Sequence, residues 1–261
     1  ALRVKKTDNK LSILAVGPVG RSRHGMIPGR FRKFLAHPDR GMPFAWMDEM
    51  SEVARKQFAG LPATVLLRAL DNPAAGALLA AYGSDAAMVS RRGALLRAAL
   101  DRFASRFGAL PCRIFRCPGR INLRGMHVDT HGGYLNLMTH EREVLAVAGV
   151  AEDGAYCFHN LDAEFGEVGF STDLLETAPE FRASWGGFIG SPEVVRTVSA
   201  RQGAWDNYLL GAVLRARFEA RDAPACGLRA VIAGDLPRGA ALSSSHALCV
   251  CVLLAALAAR K

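Results

Sequence analysis

Leu96, Leu100, Phe103 and Phe107 recur at steps of four, three and four, while Arg97, Asp101, Arg102 and Arg106 lie off that stripe. This spacing predicts an amphipathic helix, and Gly108 followed by Pro111 predicts where it stops. The pattern is helical from Phe44 onward, with breaks near Pro62 and Pro73. Beyond Pro111 the character changes. Cys112–Cys117, Glu143–Val150, Ala155–Asn160 and Glu164–Phe170 read as short strands, with a turn at Glu152-Asp153-Gly154. Trp205, Tyr208, Leu209, Ala212, Val213 and Ala216 form a second helical stripe. Gly227–Gly234 reads as a strand and Asp235–Ala241 as a Pro/Gly loop. The purely apolar stretch Leu248–Ala259 is too short to cross a bilayer and reads as a buried helix. Antiparallel-looking strands with intervening helices predict the α+β class.

Composition adds a boundary to this picture. The chain has 261 residues, half of them hydrophobic, enough for one large or two modest domains. Its net charge of +9 is unevenly placed. Residues 1–110 carry 18 Lys/Arg against 8 Asp/Glu, and residues 111–261 carry 15 against 16. A basic front suits an acidic partner, yet no nucleic-acid module accompanies it, so an Arg-rich solvated surface is the simpler reading. Within the front, Leu11–Val16 reads as one strand followed by a loop. Gly17-Pro18-Val19-Gly20 and its continuation lack the lysine a P-loop requires. Six cysteines without a C-x-x-C pair fit a reduced, cytoplasmic protein rather than a zinc site. The segment Ile13-Leu14-Ala15-Val16 is too short for a signal-peptide core.

Candidate chemistry concentrates in two places. The first is Cys117-Pro118-Gly119-Arg120-Ile121-Asn122-Leu123-Arg124-Gly125-Met126-His127-Val128-Asp129-Thr130-His131-Gly132-Gly133-Tyr134. Imidazole and carboxylate groups such as His127 and Asp129 pair with sugar hydroxyls, and the Arg120 guanidinium suits a phosphoryl group. Four glycines keep the backbone permissive around them. By composition alone, a Gly-rich loop with solvated His and Asp fits equally well.

The second is Gly234-Asp235-Leu236-Pro237-Arg238-Gly239-Ala240-Ala241-Leu242-Ser243-Ser244-Ser245-His246. A strand runs into a small-residue loop and then into a helix that begins among serines, which are good N-cap residues. Free N–H groups and the positive end of the helix dipole suit phosphate there. A plain serine cap on a buried helix is the simpler alternative for these residues in isolation.

The order of residues gives a resemblance. Pro118, Gly119, Arg120, Asn122, Leu123, Gly125, His127, Asp129, Gly132 and Gly133 match the galactokinase signature Pro-Gly-Arg-x-Asn-Leu-x-Gly-Glu-His-x-Asp-x-x-Gly-Gly. Met126 stands where that family has Glu and offers a sugar hydroxyl no comparable acceptor. Pro237, Gly239, Leu242, Ser243, Ser244 and Ser245 match the GHMP nucleotide loop Pro-x-Gly-x-Gly-Leu-Ser-Ser-Ser-Ala, with Ala241 in place of a Gly and His246 in place of an Ala. Trp205, Tyr208 and Gly211 resemble a helix of the same family, read as packing. The resemblance covers residues 90–261 and implies a GHMP-kinase N-terminal domain of the ribosomal protein S5 domain 2-like fold over 89–261, behind a mostly helical basic extension over 1–88. It implies a sugar site at Arg120, Met126, His127, Asp129 and Gly133. It further implies an ATP site at Gly239, Ala241, Ser243, Ser244 and Ser245, with Ser245 also a Mg²⁺ ligand and Arg120 beside the reacting hydroxyl.

In galactokinases the catalytic Asp, a Mg²⁺-binding Glu and the C-terminal domain follow the nucleotide loop. The expectation is therefore the front part of an ATP-dependent kinase acting on the anomeric hydroxyl of galactose or a related sugar, incomplete for catalysis as it stands. A non-catalytic sugar- and ATP-binding regulator on the same fold is the alternative. Membrane association is not expected, and nucleic-acid binding is the least favoured reading.

Overall fold

The computed structural model describes residues 60–71, 77–124, 134, 136–223, 226–237 and 239–259. The expected strand at Leu11–Val16, the loop after it and the helical pattern from Phe44 to 59 lie outside them. The chain divides into two compact units, Ala1–Val53 with Asn122–Met138, and Ala54–Ile121 with Thr139–Lys261. The described part of the first consists of Asn122–Arg124, Tyr134 and Asn136–Met138, strand ends and one exposed tyrosine. The second holds everything described below.

In chain order the elements are β1 (Leu61–Pro62), α1 (Ala63–Asp71), α2 (Ala77–Tyr82), α3 (Ala86–Phe107), β2 (Pro111–Arg124), β3 (Asn136–Ala151), β4 (Tyr156–Asn160) and β5 (Glu167–Phe170). There follow α4 (Asp173–Glu176), α5 (Glu180–Ala183), α6 (Trp185–Ile189), α7 (Pro192–Ser199), α8 (Asp206–Glu219), β6 (Gly227–Gly234) and α9 (Ser244–Ala258). The strands form one six-stranded sheet in the order β1-β2-β3-β6-β4-β5.

Helix α3 shows how local sequence sets these elements. The Asp85 side chain accepts from the Met88 N–H at 2.7 Å, an N-cap that satisfies one of the orphan donors. Gly108 ends the helix at φ 64°, a left-handed geometry that favours glycine. Leu96, Ala99, Leu100 and Phe103 are its buried face, as the periodicity predicts, and one charged residue, Arg92, shares it.

The sheet is sandwiched. Because successive strand residues point to opposite faces, Leu145 and Val147 of β3 and Val231 and Ala233 of β6 meet Leu96, Leu100 and Phe103 of α3. Their alternates Val144, Ala146, Ala148, Leu228, Ala230 and Ile232 meet Leu209 and Val213 of α8 and Cys251, Val252 and Ala255 of α9. β3 and β6 are covered on both faces, which is why they read as continuous apolar runs.

Three features differ from the sequence expectation. β4 pairs with β6 in parallel, with Tyr156 opposite Leu228 and Asn160 opposite Ile232, so the sheet is mixed rather than antiparallel. The parallel pair arises because β6 inserts between β3 and β4 after a long excursion, an event no local pattern announces. Residues 164–166 form a turn and β5 starts only at Glu167. Four short helices occupy 173–199, where no element was expected. They pack Leu175, Phe181, Phe188 and Val194 against Leu210, Leu214 and Phe218, the side of α8 that faces away from the sheet. Residues 61–82, read from sequence within the basic extension, lie in the same unit as α3, with Ala63 and Tyr82 buried against it. Among the described residues no helix is long and apolar enough to cross a membrane.

Candidate functional site

The strand β2 and the loop after β6 converge. The Arg120 N–H donates to the Leu242 carbonyl at 3.0 Å. The preceding Gly119 is buried, and a Cβ there would collide with the Leu236 side chain and lie 3.2 Å from the Leu242 carbonyl and 3.4 Å from that of Arg142. Glycine thus eases the close approach of two backbones, and any larger residue would make Leu236 shift. The two sequence constellations are thereby joined at a defined point. Arg120 is half-buried, and its Nε is fully enclosed with no hydrogen-bond partner among the described residues. An enclosed guanidinium donor left unsatisfied is an invitation to an anion.

The loop itself has an unusual backbone. Gly239, Ala241 and Ser243 have φ of 68°, 56° and 59°, and the last two are the only non-glycine residues with positive φ among the described residues. A residue with a Cβ costs about 1–2 kcal/mol in this region, so the glycine expected at position 241 has a local conformational reason. Left-handed residues alternating with others along a short loop are the backbone pattern from which anion-holding nests are built.

Ser243 flanks α9 but does not cap it through its side chain, contrary to the cap reading of the serine run. Its left-handed backbone takes the hydroxyl away from the usual N-cap geometry, which needs an extended conformation. The Ser243 carbonyl still accepts the first helical bond, from Ala247 at 3.0 Å. The N–H groups of Ser244, Ser245 and His246 precede that bond and have no acceptor within the helix. The positive end of a 15-residue helix therefore opens beside the loop.

A cavity of about 400 Å³ adjoins it, lined by Gly239, Ser244 and Ser245 on the loop side. Its far wall is Asn160, Asp162, Phe165, Trp205 and Tyr208. That volume is in the range of small-molecule sites. Trp205 is fixed by donation from its Nε1 to the Phe165 carbonyl at 2.8 Å and by ring contact with Phe165 at 5.4 Å. Sequence reasoning treated Trp205 and Tyr208 as packing, and it missed Asn160, Asp162 and Phe165. The aromatic pair three residues apart was the available signal. The other three become neighbours of the loop only through the parallel β4–β6 pairing.

Of the expected site residues, Arg120 and the loop are brought together, and Gly239, Ser244 and Ser245 line the cavity. Ala241 and Ser243 shape the loop and are not among the lining residues. Met126, His127, Asp129 and Gly133 lie outside the described residues. His246 is exposed on the first turn of α9.

The loop after β6 is closed by α9 and bonded to the Pro-Gly-Arg strand. The chain is similar to galactokinases. The family model for the galactokinase galactose-binding signature matches residues 101–150. The chain is 33% identical over 147 residues to a galactokinase of Clostridium perfringens, covering 56% of this chain and 32% of that protein. It is 31% identical over 152 residues to a galactokinase of Roseiflexus sp., covering 58% and 32%. A crystal structure of Lactococcus lactis galactokinase complexed with galactose aligns at 25% identity and a TM-score of 0.43, covering 58% of this chain and 34% of that one. A mevalonate kinase structure aligns at 15% identity and a TM-score of 0.38, covering 55% and 39%. The chain spans about a third of the length of the curated relatives it matches.

Proposed function

We propose that this chain supplies the nucleotide and sugar recognition of an ATP-dependent sugar kinase, which transfers the γ-phosphoryl group of ATP to the anomeric hydroxyl of galactose or a related sugar. One observation carries the reading: the Arg120 N–H to Leu242 carbonyl bond, which ties the sugar-signature strand to the phosphate loop. The ATP phosphates are held by the open N–H groups at Ser244 and Ser245 and by the nest at Gly239–Ser243. The adjoining cavity takes the nucleoside, with the Trp205 ring as one wall.

Arg120 is assigned to the transferring phosphoryl group. Its Nε is enclosed, and positive charge there stabilises charge developing on the equatorial oxygens. Ser245 is assigned to Mg²⁺. One hydroxyl provides a single oxygen of the octahedral set, and phosphate oxygens and water fill the rest, as is usual for this ion. Bound Mg²⁺ supplies charge neutralisation on the phosphates. The sugar is assigned to His127, Asp129, Met126 and Gly133. Met126 cannot accept a hydrogen bond from a hydroxyl as a carboxylate does, so the preferred sugar differs from galactose at the hydroxyl that a glutamate would have held. The free cysteines support a cytoplasmic location.

Calorimetric titration of the 261-residue chain with MgADP and MgATP tests the reading. Micromolar binding, abolished by Ser244→Trp in the helix mouth, is expected. The absence of nucleotide binding by a folded chain contradicts it. ATP and sugar binding without turnover would favour the regulatory alternative.

A further inference from the structure

The phosphate loop does not simply follow β6. Its first residue, Asp235, is gripped from beneath. Arg92 donates to Asp235 Oδ1 through Nη1 at 2.9 Å and to Oδ2 through Nη2, a two-pronged contact. The Glu143 N–H donates to the same Oδ1 at 3.0 Å, and the Asp235 N–H returns to the Glu143 carbonyl at 3.2 Å. Asp235 is thereby fixed by side chain and backbone together.

Arg92 and Glu143 are both almost wholly buried, at 3% and 0% exposure. Glu143 in turn accepts from the Tyr82 hydroxyl at 2.6 Å and from Arg116 Nε at 2.7 Å. The Arg116 guanidinium lies over the Tyr82 ring, 4.1 Å from its centroid. Two guanidinium groups and two carboxylates, drawn from α3, β2, β3 and the loop, thus form one balanced cluster.

Burying Arg92 and Glu143, with Asp235 and Arg116 partly exposed beside them, is a poor way to add stability. Desolvation costs several kcal/mol for each ion, and apolar replacements of the same volume are often as stable. What such a cluster does provide is direction, because a planar guanidinium meets a carboxylate in one orientation. Among the described residues, the remaining buried contacts between the sheet and α3 are apolar and tolerant of small shifts, and the pairs Arg91–Glu141 and Arg106–Glu167 lie exposed at the surface. The oriented contact falls at the single residue where the sheet becomes the phosphate loop. Arg116, which holds Glu143, also lies on β2 four residues before Arg120, whose N–H bonds Leu242 at the other end of that loop.

We propose that Arg92 is a positioning residue: through Asp235 it sets the conformation of the phosphate loop at 239–245, so nucleotide affinity depends on an arginine that touches no nucleotide. The proposal deepens the nucleotide reading of this loop and rests on it for its functional consequence.

The test uses the full chain and two variants. Arg92→Met combined with Asp235→Asn removes both charges and leaves the cluster balanced, so a fold near wild-type stability is expected. Arg92→Lys keeps a charge and loses the two-pronged geometry, and serves if the double variant does not fold. Hydrogen exchange is measured without nucleotide, and MgADP affinity is measured by calorimetry. The expected result is faster exchange confined to amides 239–245, with core protection unchanged and MgADP affinity lowered by about tenfold or more, as small misplacements commonly cost. Unchanged loop exchange in a folded variant overturns the proposal, whatever the affinity does. Faster exchange throughout the sheet also overturns it, since that marks a merely structural role. If the wild-type chain binds no MgADP, the nucleotide reading fails, while the exchange measurement still decides whether Arg92 sets the loop.

Discussion

The two faces of the sheet are built on different principles. The face toward α8 and α9 is apolar through its middle, with Phe158, Leu228, Ile232 and Leu209 among its buried residues, and turns polar only where Asn160 meets the cavity. The face toward α3 begins the same way, with Leu100, Phe103 and Val147, but ends in Arg92, Glu143, Tyr82, Arg116 and Asp235. Apolar packing is strong and weakly directional. Ionic hydrogen bonds are directional and contribute little net stability when buried. The first face therefore holds the fold, and the end of the second aims the loop that leaves it.

The contrast can be broken from the apolar side first. Phe158→Ala removes a fully buried ring from the α8/α9 face and is expected to cost about 3–5 kcal/mol, read as a lowered denaturant midpoint. Glu143→Gln attacks the ionic end. It leaves Arg116 and Arg92 without one opposing charge and is expected to cost about 2 kcal/mol, with a disproportionate loss of nucleotide affinity. An equal loss of affinity per unit of stability in both variants would erase the distinction between the faces.

Acid supplies a gentler probe. Burial acts to raise the pKa of the Asp235 carboxyl, but donation from Arg92 and from the Glu143 N–H outweighs it and holds the group below its ordinary value. A depressed folded pKa means that the stabilisation is complete above the unfolded value of about 4 and is lost as pH falls through the folded value. The stability gap between wild type and Asp235→Asn should therefore narrow as pH drops from about 5 toward 2, measured by urea unfolding at each pH. A gap independent of pH would mean that the Arg92 contact does not favour the charged form. The smallest expected effect is a gain. Ala241→Gly relieves a left-handed alanine and should stabilise the chain by up to about 1 kcal/mol, after the added freedom of glycine in the unfolded chain is subtracted.

Much of this was legible in the sequence for identifiable reasons. The α3 stripe, the Gly108 stop, β6 and the α9 run are set by local periodicity and by single residues with special backbone needs. Pro118-Gly119-Arg120 and the serine loop announced themselves as motifs, and Ala241 announced its strain by replacing a glycine. The positions of Asn160, Asp162 and Phe165 were not legible, because they depend on the parallel pairing of β4 with β6 across about 70 residues. The helices at 173–199 were hidden because each is a single turn or two, stabilised by Phe218 and Leu214 rather than by its own periodicity. Arg92 looked like one more arginine in a basic region. Only burial beside Asp235, 143 positions away, sets it apart.

The central claim is that the Gly239–His246 segment and Arg120 bind nucleotide phosphate together. Titrating the isotopically labelled chain with MgADP, while following backbone amides and arginine Nε resonances, tests it most directly. Saturable shifts are expected in the amides of Gly239 to His246 and in the Arg120 Nε–H, with Arg113 and Arg229 unmoved. Saturable shifts elsewhere, with the Arg120 Nε–H and the loop amides unchanged, would contradict it.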